Sequence, residues 1–251
     1  MRTETHRWFS PRLGREMELT VYGHWGKAFV VFPCSRGRHF DYAGMGMVGA
    51  IARFIEGGAI KLFAVDGVDA ESWYRFDLPP AERNARHEAW DAYLVHEVLP
   101  FVRGHNRSPK ERPMLTGCSM GAFHAVNTLL KHPELFEGTI ALSGLYRLDR
   151  PEFAIGPQDI PAVYFNSPLH YLPGLEDPRL LAALRGDRII VCVGQGAWEA
   201  ECLEDTRALA SCLERKAIPA WVEIWGPEVD HDWPWWFRQM NRFLEALYGP
   251  H

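Results

Sequence analysis

Short apolar runs alternate with longer amphipathic segments over most of the chain. The apolar runs predict buried strands at residues 28–32, 60–65, 114–116, 139–142, 189–193 and 221–225. Between them, apolar residues recur at helical spacing, most clearly over residues 80–102, 199–216 and 234–248. This alternation predicts an α/β fold in which helices cover both faces of a mostly parallel central sheet.

Two segments depart from this alternation. Residues 8–13 and 16–22 show period-two patterning around Gly14 and Arg15, which predicts an antiparallel N-terminal hairpin at the edge of the sheet. Residues 145–178 contain six prolines and no strong periodicity. Because this irregular insertion follows a core strand, we expect it either to cover or wall a pocket at the strand ends or to form a solvated surface loop.

Composition narrows the class of protein. The 251 residues are 47% hydrophobic, which suits a single domain with a substantial core, and we expect that domain to span residues 1–251. The net charge of −5, without a basic stripe, argues against a nucleic-acid partner. Residues 1–10 lack the apolar core of a signal peptide, and no apolar run approaches the length of a membrane span. The sequence therefore favours a cytoplasmic protein without a membrane partner.

The cysteines also favour a cytoplasmic protein. The five cysteines are an odd number and lie mostly in predicted strands and helices, as expected of reduced, buried thiols. No pair of them has the spacing of a zinc site, so we expect no metal. The sequence leaves the oligomeric state open, a homo-oligomer included.

The turn at residues 117–121 carries the strongest chemical signal. Gly-Cys-Ser-Met-Gly joins the predicted strand 114–116 to a helix that begins near Ala122, and this is the strand-turn-helix setting of a nucleophile elbow. The turn strains the backbone of its central residue, while the glycines at both ends let strand and helix approach closely. We therefore expect Ser119 to stand exposed at the turn as the nucleophile of an α/β-hydrolase fold.

A serine nucleophile needs a base, and chain order selects among the eleven histidines. In α/β-hydrolases the acid and then the histidine follow the serine. Six histidines precede Ser119, two lie on the helix after it and one is the terminal residue. Of the other two, His170 lies in the irregular insertion and could serve only with an acid from the preceding segment. His231 follows the last predicted strand, where this fold places its base.

The catalytic acid is expected just after the penultimate predicted strand, in residues 194–199. Glu199 is the first carboxylate there and would hold the imidazole of His231 in the reactive tautomer. Rival carboxylates are Glu201, Glu204 and Asp205 on the following helix, and Asp149 after the strand at residues 139–142.

The oxyanion of a tetrahedral intermediate needs preorganised donors, and this fold supplies two backbone amides. One amide belongs to Met120, directly after the nucleophile. The other comes from residues 33–38, where we favour Ser35 or its neighbours Cys34 and Arg36. Because the donor is a backbone group, its side chain is weakly constrained and the sequence leaves the choice open.

Aromatic residues are frequent in the segments that should meet beside the candidate catalytic residues, at the rim of the site. Trp73 and Tyr74 follow a core strand, Trp198 precedes the candidate acid and Trp233 follows the candidate base. We expect these four to wall a pocket for an acyl chain, an aromatic acid or a sugar. Packing in the core is the alternative for at least half of the rim aromatics.

Several motifs together resemble the putative esterase family, which includes esterase D, enterobactin-type esterases, feruloyl and acetyl xylan esterases and the mycobacterial mycolyltransferases. The resemblance covers most of the chain. It is carried by Asp-Gly at 66–67 with Ser-Trp-Tyr at 72–74, Glu-Val-Leu-Pro at 97–100, the elbow through His124, His-Pro-Glu-Leu-Phe at 132–136, Ala-Leu-Ser-Gly at 141–144 and His-Asp-Trp-Pro-Trp-Trp at 231–236.

This resemblance implies a cofactor-free serine esterase that forms an acyl-enzyme from a small-molecule ester, with Ser119, Glu199 and His231 at the catalytic positions. Acyl transfer to a sugar or thiol acceptor and non-catalytic binding by a hydrolase fold are the alternatives. Pro33-Cys34 replaces the family's His-Gly or Asp-Gly at the oxyanion loop, which leaves the second donor open. The lack of a secretion signal argues against a mycolyltransferase or wall-polysaccharide role.

Overall fold

One eight-stranded sheet organises the protein in the computed structural model, which describes residues 1–249. Pro250 and His251, the last residues of the predicted domain, lie outside the described residues. The strands are β1 (Thr3–Ser10), β2 (Arg15–Tyr22), β3 (Lys27–Phe32), β4 (Ile60–Val65), β5 (Met114–Cys118), β6 (Gly138–Leu142), β7 (Arg188–Val193) and β8 (Ala220–Ile224). Their order in the sheet is β1-β2-β4-β3-β5-β6-β7-β8.

The sheet is parallel from β4 through β8, and only β1 and β2 run antiparallel to their neighbours. The predicted fold class is therefore confirmed. Each of the six predicted apolar runs forms a strand, with ends that differ by at most two residues. The first five runs are recognisable in sequence because helices cover both faces of a parallel sheet, so that consecutive residues are all buried. The sixth run, in the edge strand β8, is only partly buried.

The N-terminal hairpin forms at the edge of the sheet, but its first strand lies earlier than the pattern indicated. Pairing runs from Thr3 opposite Tyr22 to Ser10 opposite Arg15, so residues 11–14 form the turn instead of extending the strand. Gly14 closes this turn at φ 65°, and its amide donates to the Ser10 carbonyl at 2.8 Å. A positive φ is readily adopted by glycine, which explains why the chain reverses there.

The helices are α1 (Asp41–Gly44), α2 (Met47–Ala50), α3 (Ala52–Glu56), α4 (Pro80–Tyr93), α5 (Leu99–His105), α6 (Met120–Lys131), α7 (Ile160–Val163), α8 (Pro168–Tyr171), α9 (Pro178–Gly186), α10 (Ala200–Arg215) and α11 (Trp233–Tyr248). A π-helical turn, Leu94–Val98, joins α4 to α5 where one continuous helix was predicted. Pro100 has no amide to donate to the preceding turn, which favours such an irregularity. No helix within residues 1–249 is long and apolar enough to cross a membrane.

Two large apolar clusters lie on opposite faces of the sheet. Alternate residues of β3 divide between them, with Val30 and Phe32 in one cluster and Phe29 and Val31 in the other. The first cluster is completed mainly by α4, α5, α6 and α10, and the second by α1, α2, α3 and α11. The period of two along a strand thus provides each helix layer with its own core.

The proline-rich segment at residues 145–178 consists of short helices that pack onto α6. Its Leu148, Phe153, Ile155 and Val163 form a third apolar cluster with Trp73, Met120 and Phe123. The buried guanidinium of Arg83 donates to the carbonyls of Trp73 and Phe153, both at 2.8 Å, and so joins this segment to the loop after β4. The segment therefore lies directly against the residue that follows Ser119.

Candidate active site

Ser119 occupies a strained turn between β5 and α6. Its backbone has φ 55° and ψ −121°, a conformation that non-glycine residues rarely adopt. A Cβ on Gly117 would lie 2.4 Å from the carbonyl carbon of Gly121, and a Cβ on Gly121 would lie 2.5 Å from the Phe32 carbonyl oxygen. Only glycine allows these backbone contacts, which explains the spacing of the two glycines in the sequence.

His231 meets the nucleophile from a distant part of the chain. Its Nε2 lies 2.9 Å from the Ser119 Oγ, although 112 positions separate the two residues. His231 stands in the loop between β8 and α11, and its amide donates to the Ala197 carbonyl at 2.9 Å. This position lets the imidazole accept the serine proton directly.

Glu199 completes a hydrogen-bonded chain of three residues. It is fully buried at the N-terminal cap of α10, and its Oε2 lies 3.2 Å from Nδ1 of His231. Its Oε1 accepts hydrogen bonds from the Ser143 hydroxyl at 2.5 Å and from the Gly194 amide at 3.3 Å. A carboxylate held in this way fixes the imidazole with Nδ1 protonated and Nε2 directed at the serine.

Ser143 and Trp236 support this chain; the sequence offers Trp236 only as a possible pocket aromatic and gives Ser143 no role. The Trp236 Nε1 donates to the Ser143 Oγ at 3.0 Å, and the indole packs edge-to-face on the His231 ring at 4.9 Å. Ser143 directly follows β6 with φ 54°, a second strained residue at the same end of the sheet. In the sequence, the Ala-Leu-Ser-Gly motif at 141–144 could have pointed to Ser143, but a motif does not show what the hydroxyl contacts.

The rival acids contact other groups. Asp205 accepts from the Tyr146 amide at 2.8 Å and pairs with Arg150. Asp149 pairs with Arg147 and faces His170 at 3.6 Å. Glu201 and Glu204 are exposed on α10. Within residues 1–249, Glu199 is the carboxylate that hydrogen-bonds His231.

The loop after β3 lies against the strand that carries Ser119. The Cys34 thiol donates to the Cys118 carbonyl at 3.3 Å, and burial, with the nearby Asp41 and Asp69, raises the pKa of that thiol to about 12. A protonated thiol suits this donor role. The Ser35 hydroxyl lies 2.9 Å from the Tyr74 hydroxyl, which donates to Glu152 of the proline-rich segment. These contacts anchor the loop from both sides.

Met120 is the first residue of α6, so its amide lies among those at the helix N-terminus that have no acceptor within the helix. The helix dipole also makes this end favourable for negative charge. For both reasons, the Met120 amide is well placed to donate a hydrogen bond to an oxyanion beside Ser119.

The four predicted pocket aromatics occupy different depths. Trp73 is fully buried in the cluster with Met120, whereas Trp198 is 89% exposed and has φ 64°. Tyr74 is half-buried, and Trp233 is half-buried between Tyr42 and Trp236. Trp73 has no exposed surface and can therefore only support residues that line a pocket, whereas Trp198 can contribute only to a rim.

Among residues 1–249, two groups of side chains come close enough to share a metal ion. Glu4, His6 and His105 form one group, but Arg2 pairs with Glu4 and the Lys61 ammonium lies 2.8 Å from Nδ1 of His105. Both cations oppose a metal there. Glu199, Cys202 and His231 form the other group. Burial raises the pKa of the Cys202 thiol far above its ordinary value, so the thiolate that metals prefer is disfavoured.

Comparison with known proteins gives the family of the chain. A family model described as "Putative esterase" matches residues 10–247. No curated protein matches the chain.

Solved structures share the fold over nearly the full chain. A ferulic acid esterase is 18% identical with a TM-score of 0.76, and 98% of each chain is covered. FphF, a fluorophosphonate-binding serine hydrolase of Staphylococcus aureus, is 18% identical with a TM-score of 0.73 and 99% coverage of each chain. The S-formylglutathione hydrolase FrmB of Staphylococcus aureus is 17% identical with a TM-score of 0.71, covering 98% of this chain and 96% of that one. At these identities the likeness establishes the fold.

Proposed function

The chain belongs to the putative esterase family, and we propose that it cleaves carboxylic esters through a covalent acyl-enzyme formed on Ser119. Family membership confirms the resemblance seen in the sequence and identifies the protein as a carboxylic ester hydrolase. The comparisons favour neither acyl transfer to another acceptor nor non-catalytic binding. Beyond family membership, we propose which residues catalyse the reaction and that an acyl-enzyme forms.

One observation carries it: the continuous hydrogen-bonded chain from Ser119 through His231 to Glu199, with separations of 2.9 Å and 3.2 Å. A serine hydroxyl alone is a poor nucleophile at neutral pH. In this chain the proton can move to Nε2 of His231 while the buried carboxylate stabilises the resulting imidazolium. The arrangement thus supplies both the activation and the orientation that acyl transfer requires.

In the first half of the reaction, the Ser119 Oγ attacks the ester carbonyl carbon as Nε2 of His231 takes its proton. The carbonyl oxygen becomes an oxyanion, which the Met120 amide and an amide of residues 34–36 would bind. The carbon–oxygen bond to the alcohol then breaks, and His231 returns the proton to the leaving alkoxide. Ser119 now carries the acyl group.

In the second half, water replaces the alcohol. His231 takes a proton from water as the water oxygen attacks the acyl carbon, and the same amides bind the second oxyanion. Collapse releases the carboxylic acid and returns the proton to Ser119. Met120, supported by the buried Trp73, and the exposed Trp198 near His231 are the proposed floor and rim of the substrate pocket.

Covalent labelling tests this proposal. A fluorophosphonate probe should modify the wild-type protein at Ser119, identified by mass spectrometry of the labelled peptide, and should abolish hydrolysis of p-nitrophenyl acetate. Ser119→Ala should lose both labelling and hydrolysis, whereas Ser211→Ala, at an exposed serine on α10, should retain both. Undiminished labelling of Ser119→Ala would show that another residue is the nucleophile.

A further inference from the structure

A cavity lies at the end of the sheet opposite Ser119. It has a volume of about 1060 Å³ and is bordered by the starts of four parallel strands, from Lys27 at β3 to Glu137 just before β6. Six cationic side chains line this basic cavity: Arg2, Lys27, Lys61, Arg107, Lys110 and Arg112. His24 and His105 add two imidazoles.

The positive charge of the basic cavity is only partly balanced. Its lining includes two carboxylates, and one of them, Glu137, pairs with Lys27. Arg2 and Arg112 pair with Glu4 and Asp187 outside the lining. Lys61, Arg107 and Lys110 form no ion pair with the residues that the structure describes. Even with the outer carboxylates counted, the cations are in excess by two, in a chain whose net charge is −5.

Lys61 shows most clearly that this charge needs a partner. The residue is 4% exposed, and its Nζ lies 2.8 Å from Nδ1 of His105, whose Nε2 lies 3.3 Å from Glu4. Burial lowers the pKa of Lys61, while the charge of Glu4 opposes that shift. A buried ammonium without a carboxylate in contact is costly, and an anion inside the cavity would relieve that cost.

The cavity also has an aromatic wall. Trp25 is 72% exposed and stands in the turn between β2 and β3. Gly26, at φ 108°, fixes this turn because its backbone packs against Gly58 and Ala59, where a Cβ would lie 2.5 Å from the Ala59 carbonyl carbon. An exposed indole on a fixed turn offers a face on which a flat ring can stack.

We propose that the basic cavity binds a small phosphate ester that carries a flat ring, a ligand of the nucleotide class. An excess of two cations matches a multivalent phosphate better than a single carboxylate, and Arg107 and Lys110 provide donors that phosphate oxygens accept. The exposed indole of Trp25 provides the face on which the flat ring of the ligand would stack. The site lies apart from Ser119, so it stands independently of the proposed catalytic residues.

Calorimetric titration of the full chain with ADP tests the proposal, with inorganic phosphate and adenosine as separate arms. ADP should bind saturably and more tightly than either fragment. Lys110→Gln and Trp25→Ala alter exposed side chains and should each weaken ADP binding about tenfold. Lys61→Met should weaken it at least as much. Arg179→Gln is the matched control, because that exposed arginine on α9 lies outside the cavity and should leave the affinity unchanged.

The outcomes are distinct. A lack of saturable ADP binding would overturn the proposal, as would an affinity that Lys110→Gln and Trp25→Ala leave at the wild-type value. Adenosine binding as tightly as ADP would remove the role of phosphate, and phosphate binding as tightly as ADP would remove the role of the ring. Retained p-nitrophenyl acetate hydrolysis in Lys110→Gln and Trp25→Ala shows that these variants are folded, so that a loss of binding reflects the cavity itself.

Discussion

Oε1 of Glu199 accepts a hydrogen bond of 2.5 Å from the hydroxyl of Ser143, which lies 56 positions earlier in the chain. Both side chains are fully buried, and the same hydroxyl accepts from Nε1 of Trp236 at 3.0 Å. This contact fixes the carboxylate oxygen that does not face His231. Ser143 is therefore a positioning residue for the proposed acid, and it acts on the nucleophile only through Glu199 and His231.

We expect Ser143→Ala to lower kcat for p-nitrophenyl acetate by about tenfold, the equivalent of one hydrogen bond in the transition state. KM should change little, since Ser143 does not reach the proposed substrate pocket. Steady-state kinetics measure both values, and Ser143→Thr, which restores the hydroxyl, should recover part of the loss. A kcat equal to that of wild type in Ser143→Ala would show that Glu199 needs no support from this serine.

Glu199→Gln removes the charge of the proposed acid while preserving its size. Without the carboxylate, the reactive tautomer and the imidazolium of His231 lose their stabilisation, so kcat should fall roughly 10⁴-fold. Steady-state kinetics with p-nitrophenyl acetate give the loss. Glu201→Gln is the matched control, because Glu201 is exposed two positions further along and should retain wild-type activity. Equal activities of the two variants would refute the role of Glu199.

Gly121→Ala tests the geometry of the elbow. The added Cβ would lie 2.5 Å from the Phe32 carbonyl oxygen and 2.8 Å from that of Pro33, and neither backbone group can move freely. We expect a loss of about 1–3 kcal/mol in the free energy of unfolding, measured by chemical denaturation. Gly104→Ala on α5 is the control, since nothing lies within 4 Å of its added Cβ; it should stabilise the protein by about 0.5–1 kcal/mol. A Gly121→Ala variant as stable as wild type would contradict this close packing.

Asp91 provides a test of pH dependence. Burial by itself raises its pKa, but the hydrogen bond with His132 and the charge of Lys131 outweigh burial and lower the pKa from 3.8 to about 2. A lowered folded-state pKa stabilises the protein above 3.8, and this contribution is lost as the pH falls through about 2.

Asp91→Asn should therefore reduce the free energy of unfolding by about 2 kcal/mol near neutral pH. The difference from wild type should shrink as the pH falls from about 4 towards 2. Denaturant titrations over this range measure it. The exposed Glu214→Gln should show no comparable change. A difference for Asp91→Asn that stays constant with pH would mean that its ionisation is not coupled to folding.

The sheet and the elbow could be predicted because their signals are local. A strand covered on both faces is a continuous apolar run, and the close backbone contacts of the elbow admit only glycine at positions 117 and 121. Chain order then reduced eleven histidines to two candidates. The first hairpin strand was placed too late in the chain, and the π-helical turn near Pro100 was not predicted, because pairing register and the response of a helix to proline depend on the neighbouring chain.

The amino-acid sequence by itself determined the fold class, the family and the residues Ser119, His231 and Glu199 as candidates. Only the tertiary structure decided which carboxylate reaches His231, that Ser143 and Trp236 support it, and that Trp73 is buried while Trp198 is exposed. The basic cavity likewise exists only where four strand starts and the turn at Trp25 meet. The physical reason is that hydrophobic periodicity is written along the chain, whereas a hydrogen bond between residues 56 or 112 positions apart depends on how distant strands and loops come together.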